Sequence, residues 1–177
     1  MTHIAGHHRN ETDHDPRKLL GIYLDDHWAA SGAGTALANR LASQNKGTPW
    51  YSDLRRIADE IEQDQEVLRQ LRSSLSSGGF SAKRLAAQCA ERVGRLKLNG
   101  SLIGYTPLAR VLELEGLIAG VKARRLLWQS MRHTEAGRAV DLDQLETTAT
   151  SQIETLESIH RQASGLAFID REPARLV

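Results

Sequence analysis

The sequence predicts an all-α protein, an antiparallel four-helix bundle with one long crossover between its second and third long helices. Three observations predict it: a composition that favours helices, prolines placed where helices begin, and apolar residues repeating at bundle spacing. Aromatic residues make up only 5% of the 177 positions, against 40% apolar residues in all. Strands are normally rich in aromatic and β-branched side chains, whereas this chain is rich in Leu, Ala, Glu, Gln and Arg. Its length suits one domain able to bury one substantial core.

Three of the four prolines follow a residue able to cap a helix: Asp15-Pro16, Thr48-Pro49 and Thr106-Pro107. Proline suits the first helical position because its missing N–H would have no intrahelical partner there. The Asp or Thr before it offers a side-chain oxygen to the orphan amides of the first turn. These pairs predict long helices over 16–44, 49–76 and 107–133. A fourth begins in Val140-Asp141-Leu142-Asp143-Gln144-Leu145 and runs over 141–168. There Asp141 caps, Gln144 returns the bond, and Val140 packs on Leu145 as a hydrophobic staple. Asn45-Lys46-Gly47, Ser77-Gly78-Gly79 and Glu135-Ala136-Gly137 supply the residues that end helices.

Between the second and third long helices, a shorter helix near 82–96, capped by Ser81, precedes a Gly-rich loop, Asn99 to Gly104. Short joins make antiparallel neighbours, and a middle connection of roughly 30 residues lets two hairpins pack with a crossover. The domain is expected over 15–169, with a disordered tail at 1–14 and a C-terminal tail at 170–177.

The apolar stripes carry the functional signal. The first helix presents Leu20, Leu24, His27, Ser31, Gly34, Ala38 and Leu41 at alternating steps of four and three. The second presents Trp50, Leu54, Ile57, Ile61, Asp64, Leu68, Leu71 and Leu75 in the same rhythm. Those are bundle seams, repeating about every 3.5 residues, and each holds one ionisable residue near its middle, His27 and Asp64. On the third helix Glu113 and Glu115 lie about 200° apart. Glu115, among Leu108, Val111, Leu112 and Ile118, is read as the inward one. The fourth helix has Leu145, Ala149, Gln152, Leu156, Ile159 and Ala163, flanked by Glu157 and His160. Buried charges must pair with each other, with water or with a metal. Carboxylates and imidazoles together suit iron, manganese or zinc.

Four long helices, a middle crossover and Glu157-Ser158-Ile159-His160 on the last of them resemble the ferritin-like superfamily over about residues 16–168. Those bundles hold two metals with a Glu from each of two helices and a Glu-x-x-His from each of the other two. The resemblance implies an Fe, Mn or Zn ion held by His27, Glu60, Asp64, Glu115, Glu157 and His160. The sequence departs from the pattern in two places. Glu60 is followed by Asp64 at a spacing of four with no His, and His27 stands beside Asp26 where the family has Glu. A degenerate bundle with one metal or none is the implied form. The alternative is a non-enzymatic interaction or dimerisation module, a homodimer for instance, whose polar residues form a buried network.

Other classes are disfavoured. Formal net charge is +1, so no overall field draws nucleic acid or a membrane. Lys83, Arg84, Arg92, Arg95 and Lys97 make the short helix basic, but without stacking aromatics they read as a solvated face. Cys89 is the only cysteine, so no intrachain disulfide or thiolate zinc site forms. His3, His7, His8 and His14 read as tail residues. The first fifteen residues lack the apolar run of a signal peptide, and no apolar stretch nears the roughly 20 residues of a membrane span. A cytoplasmic protein is expected. Gly116 and Gly120, four apart, predict a close helix contact. No phosphate loop or nucleophile elbow is present, so no catalytic residue is assigned.

Overall fold

The computed structural model describes residues 15–75 and 105–169. Among the described residues the protein is all-helical: α1 (Pro16–Gln44), α2 (Tyr51–Leu75), α3 (Pro107–Met131) and α4 (Leu142–Phe168), with a 3-10 turn at Ala136–Ala139. No strand occurs among them. The Ser77-Gly78-Gly79 stop, the short helix near 82–96 with its Ser81 cap, Cys89 and basic side chains, the loop at 99–104, the N-terminal tail with its histidines and the C-terminal tail lie outside the described residues. No helix among the described residues is long and apolar enough to cross a membrane.

Three of the four expected capping residues stand directly before an α-helix. Asp15 accepts from the Arg17 amide at 2.9 Å, Thr106 from the Ala109 amide at 3.1 Å and Asp141 from the Gln144 amide at 3.0 Å. Two details differ from expectation. The Gln144 side chain turns forward to Thr148 at 3.1 Å instead of returning a bond to the cap. At Thr48-Pro49 the helix starts two residues late, at Tyr51. The Thr48 hydroxyl accepts from the Trp50 amide at 3.3 Å while donating to the Asn45 carbonyl at 2.8 Å, and the Tyr51 amide reaches the Thr48 carbonyl at 3.3 Å. That i→i−3 turn uses up Pro49 before the first α-helical bond, from Leu54 to Trp50, can form. Gly47 leaves α1 at φ 85°, a left-handed conformation that glycine adopts without steric cost. Gly137 is required for space: a Cβ there would stand 2.1 Å from the Met131 carbonyl oxygen.

Bonds between helices set their neighbours. α1 meets α2 through Thr35–Gln65 at 2.8 Å, Asn39–Glu62 at 2.6 Å and an Asp25–Arg72 ion pair. α3 meets α4 through Lys122–Glu157 at 2.7 Å and through Arg132 with Asp143 and Glu146. α1 also meets α3, at Tyr23–Ser130 and Asn45–Tyr105, both 3.3 Å, and at Arg40–Glu113. α2 meets α4 at Trp50–Gln162, 3.0 Å, and Gln152–Glu60, 2.9 Å. In every pairing residue numbers rise along one helix as they fall along the other.

Among the described residues the buried apolar side chains form two clusters. The larger holds Leu41, Leu54, Ile57, Leu114 and Leu156 toward the α1–α2 turn. The smaller holds Leu24, Leu68, Leu127, Trp128 and Met131 toward the α3–α4 connection. Each α-helix contributes to both apolar layers, and between them lies a level of polar and small residues. That level positions the site.

Candidate functional site

All four helices send a side chain into the polar level, and each does so from its apolar seam. α1 supplies His27 and Ser31, α2 Asp64, α3 Arg124 and α4 Gln152, around a cavity of about 100 Å³. The cavity exists because α1 and α3 carry small residues where they face each other. Ala30 and Gly34 stand opposite Gly116, Gly120 and Ala123. A Cβ added at Gly34 or at Gly120 would meet nothing within 4 Å among the described residues, and one at Gly116 would touch Leu37 at 3.4 Å. The close contact expected at Gly116 and Gly120 is therefore open at Gly120. Ala30, Gly120 and Ala123 are exposed, so the opening lies between α1 and α3.

The polar groups around the cavity are well buried and incompletely paired. Gln152 is 1% exposed and Asp64 4%. The Asp64 Oδ2 to Arg124 Nη1 distance is 4.0 Å, an ion pair too long for a hydrogen bond. Among the described residues Asp64 Oδ2, Arg124 Nη1 and Gln152 Oε1 have no hydrogen-bond partner. Gln152 uses its other end, Nε2 donating to Glu60 Oε2 at 2.9 Å.

Burial outweighs attraction at this pair. It pushes Asp64 up to about 6, against the pull of Arg124 and with help from the Glu60 charge. It also draws the Arg124 guanidinium down, opposed by Asp64, though an arginine stays cationic in proteins. Burial and the neighbouring Arg124 charge lower His27, with Asp26 opposing, so the imidazole is neutral at pH 7. Its ring meets Tyr23 edge-on, centroids 4.7 Å apart.

The six residues proposed as ligands do not converge. His27 and Asp64 line the cavity, and Glu60 is bound to Gln152 and, at 2.8 Å, to Arg56. Glu115 and His160 pair at 3.2 Å on the surface, and Glu157 pairs there with Lys122 at 2.7 Å. Among the described residues no three His, Cys, Asp or Glu side chains gather as a metal would need. A guanidinium beside Asp64 also puts positive charge where a cation would sit, so the residues present do not fit a metal ion.

Glu115 is a correction. Its side chain is 54% exposed, while that of Glu113 is 9% exposed and pairs with Arg40. Leu108 and Leu112, whose company made Glu115 look buried, are themselves 52% and 40% exposed. α3 is apolar over more of its surface than its neighbours cover. Burial raises the Glu113 carboxyl, opposed by Arg40 and by the Tyr105 hydroxyl.

Arg124 is the residue whose place in the site the stripes left unassigned, though the signal was available. Leu117, Val121, Arg124, Trp128 and Met131 follow the four-three rhythm of a seam, and Arg124 occupies a core position within it. No family model, curated protein or solved structure matches the chain.

Proposed function

We propose that this protein is a non-enzymatic helical bundle that holds a small polar molecule in the cavity between its two apolar layers. The observation that carries this reading is the set of three unpaired atoms, Asp64 Oδ2, Arg124 Nη1 and Gln152 Oε1, at residues lining one cavity. Leaving a buried polar group without a bond costs about 1–3 kcal/mol. Three such groups around one space favour a guest that supplies their missing partners. A volume of about 100 Å³ suits a guest of a few heavy atoms, water having about 30 Å³ each in the liquid. The site's two charges oppose each other at 4.0 Å, an arrangement that suits holding a guest more than activating one.

The same reading takes the finer topology to be antiparallel and ferritin-like, up-down-down-up, with one long crossover from α2 to α3. Its support is the opposed numbering of the α1–α3 and α2–α4 contacts, Arg40–Glu113 and Gln152–Glu60 among them.

A guest that binds only the folded state raises Tm by mass action. A thermal-shift screen of small neutral and charged polar molecules is therefore expected to give concentration-dependent stabilisation. Arg124→Met should remove it, and native mass spectrometry of the unsubstituted protein should detect the same guest. A flat screen together with the mass of bare protein would refute the proposal.

A further inference from the structure

We infer that the cavity takes a primary carboxamide group, as in a small neutral amide or urea; this rests on the ligand-binding reading above. The inference follows from what each unpaired atom requires. Arg124 Nη1 can only donate, so it requires an acceptor. An ionised Asp64 can only accept, so Oδ2 requires a donor. Gln152 has two ends, and the contact with Glu60 at 2.9 Å decides which faces where. A carboxylate accepts, so the amide nitrogen must lie toward Glu60, and Oε1 is left as an unpaired acceptor at a residue lining the cavity. The unmet demand is one acceptor and two donors.

A primary carboxamide supplies one carbonyl oxygen and two N–H groups within one planar unit. Its oxygen and nitrogen are about 2.3 Å apart on standard bond lengths. Slightly splayed hydrogen bonds from those two atoms span the 4.0 Å between Asp64 Oδ2 and Arg124 Nη1, and the second N–H remains for Gln152 Oε1. Charge selects in the same direction. Arg124 and Asp64 carry opposite charges and His27 is neutral, so a charged guest would lose its hydration without a net counter-charge. The small side chains of Ala30 and Ala123 and the two glycines, Gly34 and Gly120, leave a narrow apolar slot through which the substituent on the amide can leave between α1 and α3.

The test uses the unsubstituted full chain and a series of probes, read by NMR shifts of the His27 ring and the Gln152 side-chain amide. Acetamide and urea are expected to give saturable shifts in the millimolar range. N,N-dimethylacetamide keeps the acceptor but lacks both donors, and should bind at least tenfold more weakly. Acetate and methylammonium should fail in the same way. Gln152→Leu should weaken acetamide roughly tenfold, the effect of one lost hydrogen bond. Equal binding of acetamide and dimethylacetamide would overturn the inference. Saturation by ethylene glycol with no response to amides would overturn the amide class but leave a polar-guest pocket. No response to any probe, with water as the only occupant, would overturn both.

Discussion

Asp64 sits where a leucine would complete the α2 seam, between Ile61 and Leu68, and its cost depends on pH. Its folded pKa, about 6, lies above its ordinary value of 3.8, so the folded state holds the proton more tightly than the unfolded chain. The stability this gives is full below about pH 4 and is lost as pH rises through about 6, a change of about 3 kcal/mol. Asp64→Asn, which cannot ionise, should lose that dependence. Urea unfolding at pH 4 and pH 7 is expected to show the native protein losing about 2.4 kcal/mol relative to the variant. His27, lowered by burial, changes stability in the opposite direction below its ordinary 6.5, but it does so in both proteins and cancels in the comparison. Parallel behaviour of the two proteins would mean that Asp64 is solvated. His27, Asp64 and Gln152 were legible as polar residues on apolar seams. Glu115 was misread because exposed leucines share its side of α3.

At the scale of the helix, the cavity is made by what α1 and α3 lack. Gly34 and Gly120 are interior helical positions where a Cβ would be free of contact within 4 Å among the described residues. Glycine inside a helix costs about 0.5–1 kcal/mol against alanine. Gly120→Ala should therefore raise stability by about that amount, measured by the urea midpoint. Gly120→Leu should fill the opening and abolish the acetamide response while the helical circular dichroism is retained. Loss of stability in the alanine variant would show instead that α1 and α3 approach more closely at this level. The caps at Asp15, Thr106 and Asp141 were readable because each bond spans two or three residues. Thr48 was readable as a cap and its hydroxyl does accept from the Trp50 amide, but the i→i−3 turn from Tyr51 back to Thr48 delays the α-helix by two residues.

For the molecule as a whole, two measurements bear on topology and on metal. With Cys89 replaced by serine, spin labels at Lys18 and His133 should be under about 25 Å apart. Labels at Lys18 and Leu108 should exceed about 35 Å, since α3 rises about 1.5 Å per residue over its length. The reverse order would indicate an up-down-up-down chain and remove the ferritin-like connectivity. Because the carboxylates and imidazoles do not converge and a guanidinium stands among them, dialysis against EDTA should leave Tm unchanged. A fall in Tm restored by Fe, Mn or Zn would return the metal reading.

The helical class, the starts of three of the four helices and most of the inward seams follow from the order of residues alone. Capping bonds and the 3.5-residue rhythm act within a few residues of chain, where neighbouring helices have little influence. Packing between helices settled which glutamate of α3 is buried, because that depends on where α1 places Arg40. It also decided that small residues on two helices 80 or more positions apart in sequence leave a space between them. Arg124 faces Asp64 across the bundle at 4.0 Å for the same reason: a gap between side chains depends on several helices at once, and no local pattern encodes it.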